Sequence, residues 1–383
     1  METKAAVTVM IKQCTCVVGT AARLPSRRFS SAVAGTDLVQ HKNGTRPNVI
    51  VIKSSGKSRL KDGSFAVGAL SATDLVDQLL ERTSTLLDPK ASNSVAFSGG
   101  VDSSLAAALV YRVFSPHEGT CTSNNRGGVG NALAVLGLSP AVPEEQVDVA
   151  RRVADIIGID LMEVNTDEGK DPTYIANAGE ACFACKTRLY TALEAVAEAA
   201  LAESVRSAPS SPNRRGVIMY NGTNADDTRD PTRLGLVAAS NFRVESPLLH
   251  TTKADVRRAA RHLGLPNWDH AAAPCLRSRL AFGVEAKEQH LRMVGEAERR
   301  VRLALGLDHT VNMRVRMLAK KRAMVELDQL ELVERDAPAV LRKEGFLQVF
   351  QDLGFDSFGV RAFKTGSVAA VAKDSSVGTK TTL

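Results

Sequence analysis

Apolar positions recur at helical spacing over residues 72–87, behind Ser71, and again over 101–113, 143–157 and 181–200. Between them stand short apolar runs of strand type: one ending in Val95, Ala96 and Phe97, then 132–138, 159–164 and 217–220. Strand and helix in alternation predict an α/β fold with a doubly wound parallel sheet, in which ligands bind beyond the carboxyl ends of the strands. Residues 246–249 read as a further strand end, and 251–263 as a helix in which Thr252 and Asp255 have the spacing of a capping pair.

From residue 285 the pattern changes. A long charged helix to 305 is followed by alternating runs over 311–317 and 323–327, a helix over 337–353 and a last strand over 357–363. The prediction is a parallel-sheet domain over 70–283 and a smaller α+β domain over 284–367 with a short antiparallel sheet. Residues 117–131 and 204–216, rich in small polar residues or Pro, read as inserted surface segments, and 368–383 as a disordered tail.

With 383 residues, 44% hydrophobic and 24% charged, the chain has room for two domains and extensions. No apolar run approaches the ~20 residues of a membrane-spanning helix, so no membrane partner is expected. The net charge of +7 is concentrated at the start, where residues 1–49 hold seven basic residues against Glu2 and Asp37 and so carry five of those charges. The remainder is nearly balanced, which argues against a nucleic-acid partner, whose binding surface would be basic. The first segment, poor in acids and containing RLPSRRFSSAVAG, looks like an organellar transit peptide and points to a mitochondrial or other organellar matrix. A disordered tail without an address, on a cytoplasmic protein, is the alternative.

The strongest chemical signal is SGGVDSS, residues 98–104, between a strand and a helix. Gly99 and Gly100 allow a tight turn. The amides of that turn, the positive end of the helix dipole and the hydroxyls of Ser98, Ser103 and Ser104 converge on a site for an anion, phosphate above all. The motif lacks the Lys of a Walker loop and is not GxGxxG. It resembles the SGGxDS loop (PP-loop) of the ATP pyrophosphatase superfamily, whose members cleave ATP between the α and β phosphates and adenylate a substrate. On that resemblance Ser98, Gly99, Gly100, Asp102, Ser103 and Ser104 bind ATP.

A second motif, NGTNADD at 221–227, gathers amides and carboxylates at a strand end. Asn221, Thr223 and Asn224 read as nucleotide-binding, and Asp226 or Asp227 as holding Mg2+ against the departing pyrophosphate, with a polar helix-capping turn as the bland alternative. Of six cysteines, Cys14 and Cys16 fall in the first segment and Cys121 in an inserted loop, leaving Cys182, Cys185 and Cys275. Three thiols suit metal binding or reactivity better than disulfides. CFACK sets Cys182 and Cys185 one turn apart at a helix start with Lys186 and Arg188 beside them, conditions that lower a thiol's pKa and predict at least one thiolate. Cys275 is followed by Arg277, Ser278 and Arg279, an anion site next to a nucleophile.

Together with SPLL, TKADVR, LGLPNWD, PCLRSR and the terminal GFDSFGVRAFKTGS, these motifs resemble the LarE-type sulfur transferases over residues 70–367. The resemblance implies a small-molecule nucleotide substrate: ATP adenylates a carboxylate of pyridinium-3,5-biscarboxylic acid mononucleotide, and sulfur replaces AMP to give the thiocarboxylates of a nickel-pincer cofactor. It also implies ATP, Mg2+ and a 4Fe-4S cluster as cofactors. In the family's three-cysteine kind, Cys182, Cys185 and Cys275 would be both the catalytic set and the cluster's ligands, leaving one iron open to hydrosulfide. Zinc on the same thiols and a redox CxxC are alternatives. Ser278, Arg279 and Arg314 or Arg316 are expected to bind the substrate's phosphate or carboxylate. The chain departs from the family at Arg277, Ala281 and Phe282, where small or tyrosine-containing variants are common. Competing readings are a tRNA thiolation enzyme of the same superfamily and a non-catalytic adenine-nucleotide binder, and a homo-oligomer is left open.

Overall fold

The computed structural model describes residues 70–88, 91–114, 132–207, 216–229, 234–329, 331–343 and 345–363. The first segment with Cys14 and Cys16, the loop 117–131 with Cys121, and the tail from 368 lie outside the described residues. No described helix is long and apolar enough to cross a membrane.

Five parallel strands make the larger sheet: β1 (Ser92–Phe97), β2 (Leu133–Leu138), β3 (Asp160–Asn165), β4 (Val217–Tyr220) and β5 (Val244–Glu245), in the order β3-β2-β1-β4-β5. Ser94 pairs with Leu133 on one side of β1 and with Met219 on the other. The chain winds outward from β1 in one direction through β2 and β3, then restarts on the other side with β4, so the carboxyl ends of β1 and β4 flank a topological switch point, where such sheets bind ligands. Helix α1 (Ala72–Leu86) opens with Ser71, whose Oγ accepts from Asp74 N at 3.1 Å. Helix α2 (Val101–Phe114) follows β1 and is buried on nearly every side, its Leu105 and Leu109 fully inaccessible. Those two side chains contribute roughly 1.5–3 kcal/mol each by burial. Helix α3 (Glu144–Ile157) covers the sheet with Val147, Ala150, Val153 and Ala154 and stops at Gly158.

The helices α4 (Pro172–Ala176) and α5 (Ala181–Ser207) follow β3. Helix α5 runs beyond the expected end at 200, because nothing in residues 201–207 forbids helix. Helix α6 (Leu234–Ala239) precedes β5, which ends at Glu245 rather than running through 246–249, since Pro247 has no amide for the ladder and the chain turns there. Helix α7 (Lys253–His262) is capped as expected, with Asp255 N donating to Thr252 Oγ1 at 3.2 Å.

Helix α8 (Glu288–Leu305) leads to a second sheet of β6 (Met313–Leu318), β7 (Arg322–Leu327) and β8 (Ser357–Ala362). Strands β6 and β7 are antiparallel, but β8 runs parallel to β7, so this sheet is mixed and not purely antiparallel. The helical crossover between β7 and β8 returns the chain to its former direction, which a hairpin cannot do. That crossover is a π-helical stretch, Leu332–Asp336, running into α9 (Ala337–Lys343), and then α10 (Phe346–Asp352) after Gly345, instead of the single helix expected over 337–353. The core under the second sheet includes Tyr174, Ala181, Leu276 and Leu280 from earlier in the chain. Leu280 also makes a β-bridge to Met317.

Candidate active site

Strand β1 delivers the turn Ser98–Gly99–Gly100 at the carboxyl edge of the sheet. Gly99 has φ 68°, and a Cβ on it would stand 2.7 Å from Ala150 Cα, so only glycine lets α3 pack this closely on the turn. Inside the turn, Ser98 N donates to Ser103 Oγ at 3.1 Å and Ser103 Oγ donates to Gly100 O at 3.0 Å. From outside, Gln146 Nε2 holds Ser98 O at 2.8 Å, while Asn267 Nδ2 holds Gly99 O at 2.7 Å and Ser104 Oγ at 3.0 Å. With those carbonyls engaged, the first amides of α2, which have no intrahelical acceptor, form the positive pole of the turn.

The motif at 221–227 meets this turn directly. A Cβ on Gly222 would lie 2.6 Å from the Asp102 carbonyl carbon. Asn224 Nδ2 donates to Asp102 Oδ1 at 3.0 Å, and Asn224 Oδ1 accepts from the amides of Asp226 at 2.9 Å and Asp227 at 3.1 Å. Asn221 Oδ1 accepts from Thr223 N at 3.0 Å and Ser246 Oγ at 2.8 Å. The asparagines therefore build the loop, and the carboxylates of Asp102, Asp226 and Asp227 are the charged groups there, Asp227 Oδ2 accepting from Asn224 N at 3.3 Å. Lys253, at the start of α7, joins them: its Nζ pairs with Asp102 Oδ2, and its amide donates to Asp226 Oδ2 at 2.6 Å. Neither Lys253 nor Asn267 stood out in the sequence, although TKADVR and LGLPNWD contain them.

Cys182 and Cys185 stand in the first turn of α5, and Cys275 precedes a short 3-10 turn, Leu276–Arg279. All three are free thiols; Cys182 is exposed and the others half-buried. Arg277 ties the groups together, with Nη2 donating to Cys182 Sγ at 2.7 Å and Nη1 to Asn177 Oδ1 at 2.7 Å. Cys185 and Cys275 rest on the same core as Tyr174. The expected thiolate fails at Cys185: burial, then Cys275 and Glu168, push its pKa up to about 12 and outweigh Lys186. Arg188 turns away to Asp171, 3.1 Å distant. Burial works against the charge of Arg277, yet Cys275 and Cys182 outweigh it and raise its pKa.

The turn after Cys275 is fixed by buried charge. Arg279 is 2% exposed; its Nε and Nη2 reach Glu298 at 2.9 and 3.2 Å, and Nη1 donates to Pro274 O and to Cys275 O. Ser278 Oγ donates to Cys275 O at 2.8 Å. Both residues thus hold the cysteine loop's backbone, and Arg279 also lines the cavity beside it. Arg316 is paired with Glu326 at 2.8 Å. Arg314 is different: it is buried, donates to the carbonyls of Met313 and Ala272, and has no carboxylate within ion-pair distance among the described residues. Burial and then Arg279 lower its pKa to about 10. It lines a cavity of about 390 Å³ together with Gln146, Leu276, Arg302 and the stacked pair His270 and His309. Leu276 N donates to Ala141 O at 2.7 Å, just before α3, so the cysteine loop and the turn at 98–100 flank the same helix.

Among the described residues no three His, Cys, Asp or Glu side chains close on one point as ligands of a single ion. The Arg277 guanidinium bonds Cys182 and its charge is favoured by Cys275 and Cys185 as well, so the three thiols lie around one cation.

A scan against models of protein families returns no match. Two proteins are similar in sequence. The Synechocystis protein slr1717, described as uncharacterized, is 34% identical over 267 residues, 68% of this chain and 85% of its own length. A pyridinium-3,5-bisthiocarboxylic acid mononucleotide synthase from Lactiplantibacillus plantarum is 28% identical over 211 residues, 55% of this chain and 66% of that protein.

Proposed function

Starting from the chain's membership of the slr1717 family and its likeness to the Lactiplantibacillus synthase, we propose that it is an ATP-dependent sulfurtransferase acting on a carboxylate of a pyridinium mononucleotide. The observation that carries the reading is the meeting, around one helix, of a phosphate-type turn and a loop bearing a cysteine held beside two others. In this reading the turn at 98–104 takes the phosphates of ATP, and Asp102, Asp226 and Asp227 hold Mg2+. Lys253, displaced from Asp102, turns to the polyphosphate. The substrate's carboxylate attacks the α phosphorus, and the α2 amides stabilise the charge gathering on pyrophosphate. Arg314, a buried cation short of a counter-ion, anchors the substrate's phosphate in the adjoining cavity. Hydrosulfide received beside Cys275 then attacks the acyl carbon: the C–S bond forms, the C–O bond to AMP breaks, and AMP departs with the thiocarboxylate left behind.

Cys182, Cys185 and Cys275 would hold a 4Fe-4S cluster. When bound, such a group supplies an iron with an open position for hydrosulfide.

The test is an anaerobic reaction of the full chain with ATP, Mg2+, pyridinium-3,5-biscarboxylic acid mononucleotide and sulfide, read by mass spectrometry and pyrophosphate assay. One pyrophosphate and one AMP should appear for each oxygen replaced by sulfur, and Cys275→Ala should abolish the replacement. Full sulfur transfer by that variant, or pyrophosphate release with no sulfur incorporated, would overturn the assignment.

A further inference from the structure

Tyr174, in α4, is 1% exposed, and its hydroxyl has no hydrogen-bond partner. Such a group is costly to bury unless something absent from the polypeptide alone accepts its hydrogen. Its surroundings say what that is. The ring belongs to the core on which Cys185 and Cys275 rest, and Cys275, Glu168, Cys185 and Arg277 are the charged or ionisable groups that act on the phenol. Arg277, one of those groups, has one nitrogen on Cys182 and another on Asn177. A guanidinium and a phenol hydroxyl in the neighbourhood of three thiols suit an anionic acceptor, with Glu168, held by Thr166, as the opposing charge.

We infer that Tyr174 and Arg277 are positioning residues for the sulfur-bearing group held by Cys182, Cys185 and Cys275: the Tyr174 hydroxyl donates to a sulfur atom of that group, and Arg277 balances its negative charge. The inference rests on the proposed reading in one respect, that these thiols hold an iron–sulfur group. It needs no covalent step and no knowledge of the organic substrate.

The experiment compares the unaltered full chain with Tyr174→Phe, Arg277→Gln and Arg277→Lys, each prepared anaerobically with and without iron and sulfide. Iron and acid-labile sulfide per chain, midpoint potential and thermal unfolding are measured. Hydrogen bonds to sulfur and local charge both set such potentials. Tyr174→Phe should keep its iron, show a more negative potential, and unfold no earlier than the unaltered protein when metal-free, because an unpaired buried hydroxyl has gone. Its gain in unfolding temperature on loading should shrink. Arg277→Gln should lose iron and shift the potential the same way, with Arg277→Lys recovering part of both.

An unchanged potential in loaded Tyr174→Phe, or equal destabilisation of its metal-free and loaded forms, overturns this inference alone. So does a metal-free Tyr174→Phe that fails to fold, since the hydroxyl would then serve the fold. An unaltered chain that takes up no iron overturns both this inference and the cluster in the proposed function.

Discussion

Gly99 and the pair Arg279–Glu298 show how single residues fix this site. Gly99→Ala must accept a left-handed backbone and push Ala150 from a 2.7 Å contact. It should cost about 1–3 kcal/mol and abolish ATP-dependent pyrophosphate release, as calorimetry and a coupled assay would show. Glu298→Ala leaves Arg279 buried without its carboxylate, at about 3–5 kcal/mol. The double change Arg279→Met with Glu298→Leu should be much milder in stability, while sulfur transfer still fails because Pro274 O loses its donor and Cys275 O is left to Ser278 alone. The glycines and cysteines were legible in the sequence because their chemistry is carried by residue type. Arg279 was legible as a cation but its pairing was not, since nothing local tells that its partner lies on α8 nineteen residues away. Arg277 was legible as part of a cationic loop beside Cys275, whereas nothing in the sequence singled out Tyr174, whose meaning is in what surrounds it.

At the scale of elements, α3 is held to the edge of the sheet by Arg151, whose Nε lies 2.6 Å from Glu163 on β3. The hydrogen bond from Arg151 depresses the Glu163 pKa against the opposing pull of burial. A carboxylate with a lowered folded pKa contributes stability above its unfolded pKa and loses it as pH falls through the folded one. Glu163→Gln should therefore cost about 0.5 kcal/mol at neutral pH, screened by salt because Arg151 is half exposed, and nothing once the carboxylate is protonated. Urea unfolding across that range checks it. Thr252→Ala should cost about 1 kcal/mol through loss of the α7 cap, and weaken ATP binding more than that because Lys253 is the next residue. Most elements could be read from the pattern of apolar positions. The failures cluster where a single residue overrides periodicity: Pro247 ends β5, and Gly345 divides a helix that the apolar positions alone would continue.

At the scale of the molecule, the two sheets fall within one unit starting at Leu70, and the core beneath the second sheet draws on α4, α5 and the loop after Cys275. A fragment ending at residue 283 leaves Tyr174, Leu276 and Leu280 without the side chains they pack against. It should lack a sharp cooperative urea transition, whereas the chain from 70 onward keeps one. Sequence patterning marks where one kind of sheet gives way to another, but it is blind to side chains that cross the boundary.

Cys275 rests against that shared core, with Leu276 and Leu280 buried beside it. Over-oxidation of its sulfur to a sulfinate plants a fixed negative charge on apolar packing common to both sheets, a lesion with no enzymatic repair outside specialised cases. Exposure to air should consequently register in calorimetry as a lower melting temperature, ahead of any assay for the missing product.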